Sequence, residues 1–111
     1  MKLLIAGSRS IEHFDLSPYI PLDTDTIISG GARGIDTLAE RYADARGLRK
    51  IIIRPNYDLY GRRAPLVRND EMIALADTVL VIWDGISHGS KYTIDRARRA
   101  GKRVIVISEH G

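Results

Sequence analysis

Three short glycine-bearing stretches combine residue types able to bind an anion. They are Gly7-Ser8-Arg9-Ser10, Ser29-Gly30-Gly31-Ala32-Arg33-Gly34-Ile35-Asp36 and Asp84-Gly85-Ile86-Ser87-His88-Gly89-Ser90-Lys91. Glycine lets backbone amides come close to a ligand and take up positive φ. A helix that follows adds unpaired amides and the positive end of its dipole. Ser8, Ser29 and Ser90 supply hydroxyl donors, and Arg9, Arg33 and Lys91 supply charge. Tight strand-to-helix turns need glycine in any protein, so the signal lies in three such loops sharing one edge. Together they predict a pocket for a phosphorylated small molecule, with a nucleotide as the expected ligand. No Gly-x-Gly-x-x-Gly follows the first strand, and no Gly-Lys-Ser/Thr closes a P-loop. Ordinary dinucleotide-dehydrogenase and P-loop NTPase readings are disfavoured.

The elements that must carry these loops follow from hydrophobic periodicity. Lys2 to Ala6, Thr26 to Ser29, Lys50 to Arg54, Thr78 to Trp83 and Arg103 to Ile107 are short, continuous, β-branched runs. Such runs suit parallel strands covered on both faces. Gly34 to Arg46 places Ile35, Leu38, Ala39, Tyr42 and Ala43 on one helical stripe, with Gly47 as its stop. Pro65 to Ala76 opens with proline at a first-turn position and sends Leu66, Ile73 and Ala76 inward. Ser90 to Ala100 forms the last helix, and the prolines at 18 and 21 allow only a short helix between Ile11 and Asp25. Strands alternating with helices predict a Rossmann-like α/β three-layer sandwich, one domain over residues 1–111. Its five-stranded parallel sheet has the expected order 3-2-1-4-5. Ligands of such sheets bind beyond the carboxyl ends of the strands, near the switch point between strands one and four.

Composition bounds the chemistry. With 44% hydrophobic residues in 111, the chain can bury a core without a staple. The absence of cysteine excludes disulfides, zinc–thiolate sites, iron–sulfur clusters and thiol catalysis, and His13, His88 and His110 have no metal-ligand spacing. No metal is expected. No apolar run approaches the ~20 residues of a membrane span, and the apolar start is too short for a signal peptide. A cytoplasmic protein is expected, with no membrane partner. A net charge of +3 suits an anionic ligand without demanding nucleic acid.

Four blocks in register then carry a family resemblance. Gly7-Ser8-Arg9, Ser29 to Asp36, Arg68-Asn69-Asp70-Glu71-Met72 and Trp83 to Lys91 resemble the YspA-related branch of the SLOG superfamily, which unites Smf/DprA and LOG proteins. The match runs from Lys2 to Ile107, and Asn56 to Arg63, with Tyr60-Gly61, resembles the family's connection before the third helix. The resemblance implies a Rossmann-like fold that binds nucleotides or their derivatives, in several branches as a suspected sensor. It also implies self-association, so a homodimer is expected. LOG enzymes hydrolyse the N-glycosidic bond of nucleoside monophosphates with Arg-x-x-x-Met and Pro-Gly-Gly-x-Gly-Thr-x-x-Glu motifs. Arg68, Met72 and Asp77 match the first motif, and Gly85 with Gly89-Ser90 matches the second. The glutamate position falls on Thr93, and Asp95 lies about 200° further round the helix. A ligand-binding module is therefore favoured over a phosphoribohydrolase.

Single residues carry two readings each. Arg68 is a bidentate phosphate ligand or a surface arginine, with Asn69 beside it. Asp36 binds a ribose hydroxyl or a metal, or it complements the helix dipole. Asp84 contacts ligand or closes its own turn. Trp83 reads as core or pocket wall, and His88 as a solvated loop residue rather than an acid–base group. Lys91, Arg96, Arg98, Arg99, Lys102 and Arg103 form a basic run that a single-stranded DNA site would use. Aromatics are only 6% and none but Tyr92 interleaves it, so a solvated face is favoured. The expected ligand site comprises Gly7, Ser8, Arg9, Ser29, Gly30, Gly31, Arg33, Gly34, Asp36, Arg68, Asn69, Asp84, Gly85, Gly89, Ser90 and Lys91.

Overall fold

The computed structural model describes residues 1–109; His110, one of the three histidines weighed above, lies outside them. The strands are β1 (Lys2–Gly7), β2 (Thr26–Ser29), β3 (Arg49–Ile52), β4 (Thr78–Trp83) and β5 (Arg103–Ser108). All pairings are parallel, and the order is β3-β2-β1-β4-β5, as the alternation of runs predicts. β1 and β4 pair in register from Leu3↔Thr78 to Gly7↔Ile82, so the loops after them open side by side.

The helices are α1 (Ile35–Arg46), α2 (Tyr57–Tyr60), α3 (Ala64–Leu75) and α4 (His88–Arg99). One face of the sheet packs Leu3, Ile5, Ile27, Leu80 and Ile82 against Ile35, Ala39 and Ala43 of α1. The opposite face packs Leu4, Ile28, Val79 and Val81 against Met72 and Ile73 of α3 and Ile94 and Ala97 of α4. Burial on both faces is why β4 reads as an unbroken apolar run rather than an alternating one. Each fully buried aliphatic side chain in these layers contributes about 1.5–3 kcal/mol of transfer free energy.

Local chemistry sets the ends of the helices. α1 stops at Gly47, whose φ is 66° and whose N–H bonds back to the Ala43 and Asp44 carbonyls. α3 takes a proline in its first turn and ends where Ala76 turns extended. Only a 3-10 turn, Ser17–Tyr19, forms between β1 and β2, where the prolines permit little more.

One inward assignment and one helix start change. Leu66, expected on the buried face of α3, is 40% exposed because it stands at the mouth of the crevice rather than over the sheet. α4 begins two residues earlier than expected, at His88, which places Gly89 and Ser90 inside its first turn.

Candidate functional site

The site grows from Arg68. It projects from α3 at one helical turn from Met72, whose side chain anchors the helix in the core. Arg68 as a whole is 7% exposed. Its Nη1 donates to the Gly30 carbonyl and, at 3.5 Å, to that of Ile53, while Nε donates to Asn69 Oδ1 at 2.9 Å. Nη2 has no hydrogen-bond partner among the described residues, although the only wholly enclosed polar side-chain atom without a partner among them is Thr24 Oγ1. The free end of Arg68 is thus fixed in direction and open to solvent.

Arg68 lines two adjoining cavities. The larger, about 420 Å³, runs beneath the β1 and β4 loops and is lined by Gly7, Ser8, Arg9, Asp36, Arg68, Asn69, Asp84, Gly89 and Ser90 among the predicted residues. The smaller, about 300 Å³, is lined by Gly30, Gly31 and Arg33 and shares Arg9, Ala32 and Arg68 with the first. Both volumes fall within or at the edge of the range of small-molecule sites. The crevice sits where the sheet topology places it, at the switch point between β1 and β4.

Asp36 lies in the first turn of α1, 7% exposed, and its Oδ2 accepts from the Ala32 amide at 3.1 Å. Burial pushes its carboxyl above the ordinary value, against the pull of that amide and of the Arg68 charge. Burial likewise lowers the Arg68 guanidinium from its ordinary value, and Asp36 opposes that shift. The two groups influence each other without closing into an ion pair within 4.0 Å. A ligand carrying a donor and an anionic oxygen would complete both.

On the β4 side, Asp84 closes its own turn: Oδ1 accepts from the Ile86 and Ser87 amides at 2.8 and 2.9 Å, and Oδ2 from Ser10 Oγ at 3.3 Å. The Ser87 and Ile86 amides hold its carboxyl below the ordinary value. The turn and pocket readings of Asp84 therefore coexist. Behind it runs a chain of hydroxyls. Ser8 Oγ accepts from the Asp84 amide at 3.0 Å and bonds Ser87 Oγ at 3.1 Å, and Ser87 Oγ donates to Ser90 Oγ at 3.0 Å.

Four predicted residues line neither cavity. Ser29 is buried and spends its hydroxyl on Glu40 Oε2 and the Asp36 carbonyl. Gly34, with φ 72°, sits where a Cβ would lie 2.5 Å from the Arg9 carbonyl, so it serves the packing of two loops against each other. Gly85 carries the positive φ of its turn. Lys91 points its charge to Asp95 at 2.9 Å along α4. Asp77 lies at the opposite, amino edge of the sheet, where its Oδ2 accepts from the Lys2 amide. Trp83 donates from Nε1 to the Ser87 carbonyl and packs on the core, and it lines neither cavity. The basic run of α4 is exposed or paired: Arg96 reaches Asp70 at 3.3 Å, beside the Tyr92 hydroxyl that donates to the same carboxylate. Burial and Asp70 raise the Tyr92 hydroxyl from its ordinary value.

Residues outside the expected ligand site also line the larger cavity: Ser10, Ser87, Pro65, Leu66, Met72 and Thr93. Ser87 had a local signal, an Asp three residues before it with the spacing of an Asx-type turn. Thr93, at the position of the LOG glutamate, donates to the Gly89 carbonyl at 3.1 Å.

Among known proteins the chain is similar to the "Gene 61 protein" of Mycobacterium phage D29, 33% identical over 85 residues, covering 71% of this chain and 68% of that protein. The chain belongs to the Gene 61 protein family. No protein-family model matches this member of the family, and no solved structure does. Among its described residues no helix is long and apolar enough to cross a membrane.

Proposed function

We propose that the chain binds a nucleotide or nucleotide-derived phosphorylated small molecule in the crevice at the carboxyl ends of β1, β2 and β4, as a sensor or ligand-binding module of the SLOG type. The observation that carries this reading is the buried Arg68, whose guanidinium is held by carbonyl and amide oxygens through Nε and Nη1 while the residue lines both cavities. A fixed guanidinium fork recognises phosphate oxygens with little further loss of side-chain freedom. Arg9 and Arg33 add charge, and the serine hydroxyls and Asp36 suit the hydroxyls of a sugar.

The reading includes self-association as a homodimer, supported by the exposed Leu66 and Leu75 of α3 and tested by light scattering with and without ligand. A second reading, a single-stranded nucleic acid laid over the same edge, draws on Tyr57 and Tyr60, exposed among Arg54, Arg62 and Arg63. A labelled oligonucleotide that AMP displaces would favour it.

The deciding experiment pairs mass spectrometry of molecules released on denaturation with a thermal-shift screen of nucleoside phosphates. At 100 times its Kd a ligand stabilises by about 2.7 kcal/mol, roughly 10 °C or more in a domain of this size. A phosphorylated molecule in the released fraction and such a shift are the expected results. Neither one appearing, for any phosphorylated compound, would overturn the proposal.

A further inference from the structure

The two cavities differ in chemistry, and the difference gives the crevice a direction. The smaller compartment is lined by Arg9, Arg33 and Arg68 and by no carboxylate. The larger shares Arg9 and Arg68 but adds two carboxylates, Asp36 and Asp84, with the hydroxyls of Ser8, Ser87 and Ser90. Resting on the binding function proposed above, we infer that the ligand sits with its phosphate in the arginine compartment and its uncharged, hydroxyl-bearing part in the serine compartment.

The start of α4 would ordinarily be the natural place for a phosphate, because its loop amides and dipole favour an anion. Here Asp84 already stands as an anion in the loop before α4. Its Oδ1 takes the Ile86 and Ser87 amides, so two of the loop donors are spent on the chain's own carboxylate. Lys91, the cation in that segment, is turned to Asp95 and lines neither cavity. A second negative charge placed beside Asp84 would meet its repulsion, and the cations of the larger cavity, Arg9 and Arg68, are the two it shares with the smaller one.

The arginine compartment is the reverse case. Arg68 is buried, its Nε and Nη1 are tied, and Nη2 is left for a ligand oxygen. The serine compartment offers a weaker, neutral donor. Ser90 is 5% exposed and accepts from Ser87, which leaves its own hydroxyl proton without an acceptor in the protein. A hydroxyl of a sugar is the ligand group that matches a single neutral donor in a cavity that also holds the Asp36 carboxylate.

Arg33 lines only the arginine compartment and Ser90 only the serine compartment, so the two ends can be tested apart. Calorimetric titration of wild type, Arg33→Ala and Ser90→Ala with AMP, adenosine and inorganic phosphate reads the polarity. Arg33→Ala is expected to weaken AMP and phosphate about tenfold, the size of one charge-assisted hydrogen bond, and to leave adenosine unchanged. Ser90→Ala is expected to weaken AMP and adenosine by about threefold or more and to leave phosphate unchanged. The opposite pattern, with phosphate sensitive to Ser90 and adenosine to Arg33, overturns the direction while AMP still binds. Variants that weaken all three probes alike also overturn it. AMP, adenosine and phosphate all failing to bind wild type overturns the binding function itself, and the direction with it.

Discussion

Arg68 and Gly30 meet across the crevice although 38 positions separate them in the chain: the guanidinium donates to the glycine carbonyl, and the glycine leaves the space it needs. A Cβ on residue 30 would lie 2.6 Å from Arg68 Nη1, 2.9 Å from Cζ and 2.9 Å from Asp36 Oδ2. The glycine after β2 is therefore a steric requirement of the buried arginine.

Gly30→Ala is accordingly expected to destabilise by about 1–3 kcal/mol, the usual result of overpacking a tight site. It should also displace the guanidinium and reduce the AMP-induced thermal shift. Gly89→Ala is the matched contrast. Its Cβ would meet nothing within 4 Å, and it lies in a helix, where alanine is the better residue. Chemical denaturation of both variants checks the pair. Equal losses from both would show that space around Gly30 is not what matters.

The Asp36 carboxyl predicts a pH dependence with a definite sign. Burial raises it above its ordinary value of 3.8, so in the window above 3.8 the folded protein keeps a proton that the unfolded chain has released. Stability from this group is complete below 3.8 and is lost as pH rises through the raised value. Asp84 runs the other way: its carboxyl is lowered, so its contribution is lost only as pH falls below 3.8. The denaturation midpoint of Asp36→Asn, followed from pH 4 to pH 7, is expected to lack the decline that wild type shows. Parallel curves for the two proteins would remove Asp36 as the source.

The serine chain predicts a cost at Ser8. Its hydroxyl is 1% exposed, accepts from the Asp84 amide and bonds Ser87, so it ties the β1 loop to the β4 loop. Ser8→Ala leaves that amide without its partner and is expected to cost about 1–2 kcal/mol in chemical denaturation. Ser90→Ala removes only the end of the chain and should cost less. A silent Ser8→Ala would mean that water replaces the hydroxyl without loss.

Strand order and helix placement were legible because they rest on runs and stripes, such as Thr78 to Trp83 and Ile35 to Ala43, which report burial directly. The loops were legible as a shared edge for the same reason, since topology brings all three to the carboxyl ends. The division of labour within them was not. Ser29 and Ser90 look alike in sequence, yet one is buried on Glu40 and the other lines the cavity. Lys91 reads as a ligand cation until the helical spacing to Asp95 is counted. The hydroxyl chain joins residues 79 positions apart, and no local pattern announces a contact of that range.

Thr93 carries the last prediction, about turnover. A glycosidic-bond hydrolase of the LOG kind needs a carboxylate at this position, to act on the sugar beside the bound phosphate. Thr93 is 2% exposed and donates its hydroxyl to the Gly89 carbonyl, so it offers neither charge nor a free proton acceptor suited to the task. Two carboxylates do line the cavity, but Asp84 is committed to two amides of its own turn and Asp36 to the Ala32 amide. Asp95 turns outward to Lys91. No carboxylate among these is both free and at the α4 position. Incubation with AMP, followed by chromatography for free adenine, is expected to show release far below the ~1 per second of ordinary enzymes. Release near that rate, abolished by Asp36→Asn or by Asp84→Asn, would make the crevice a catalytic site and identify which carboxylate serves it.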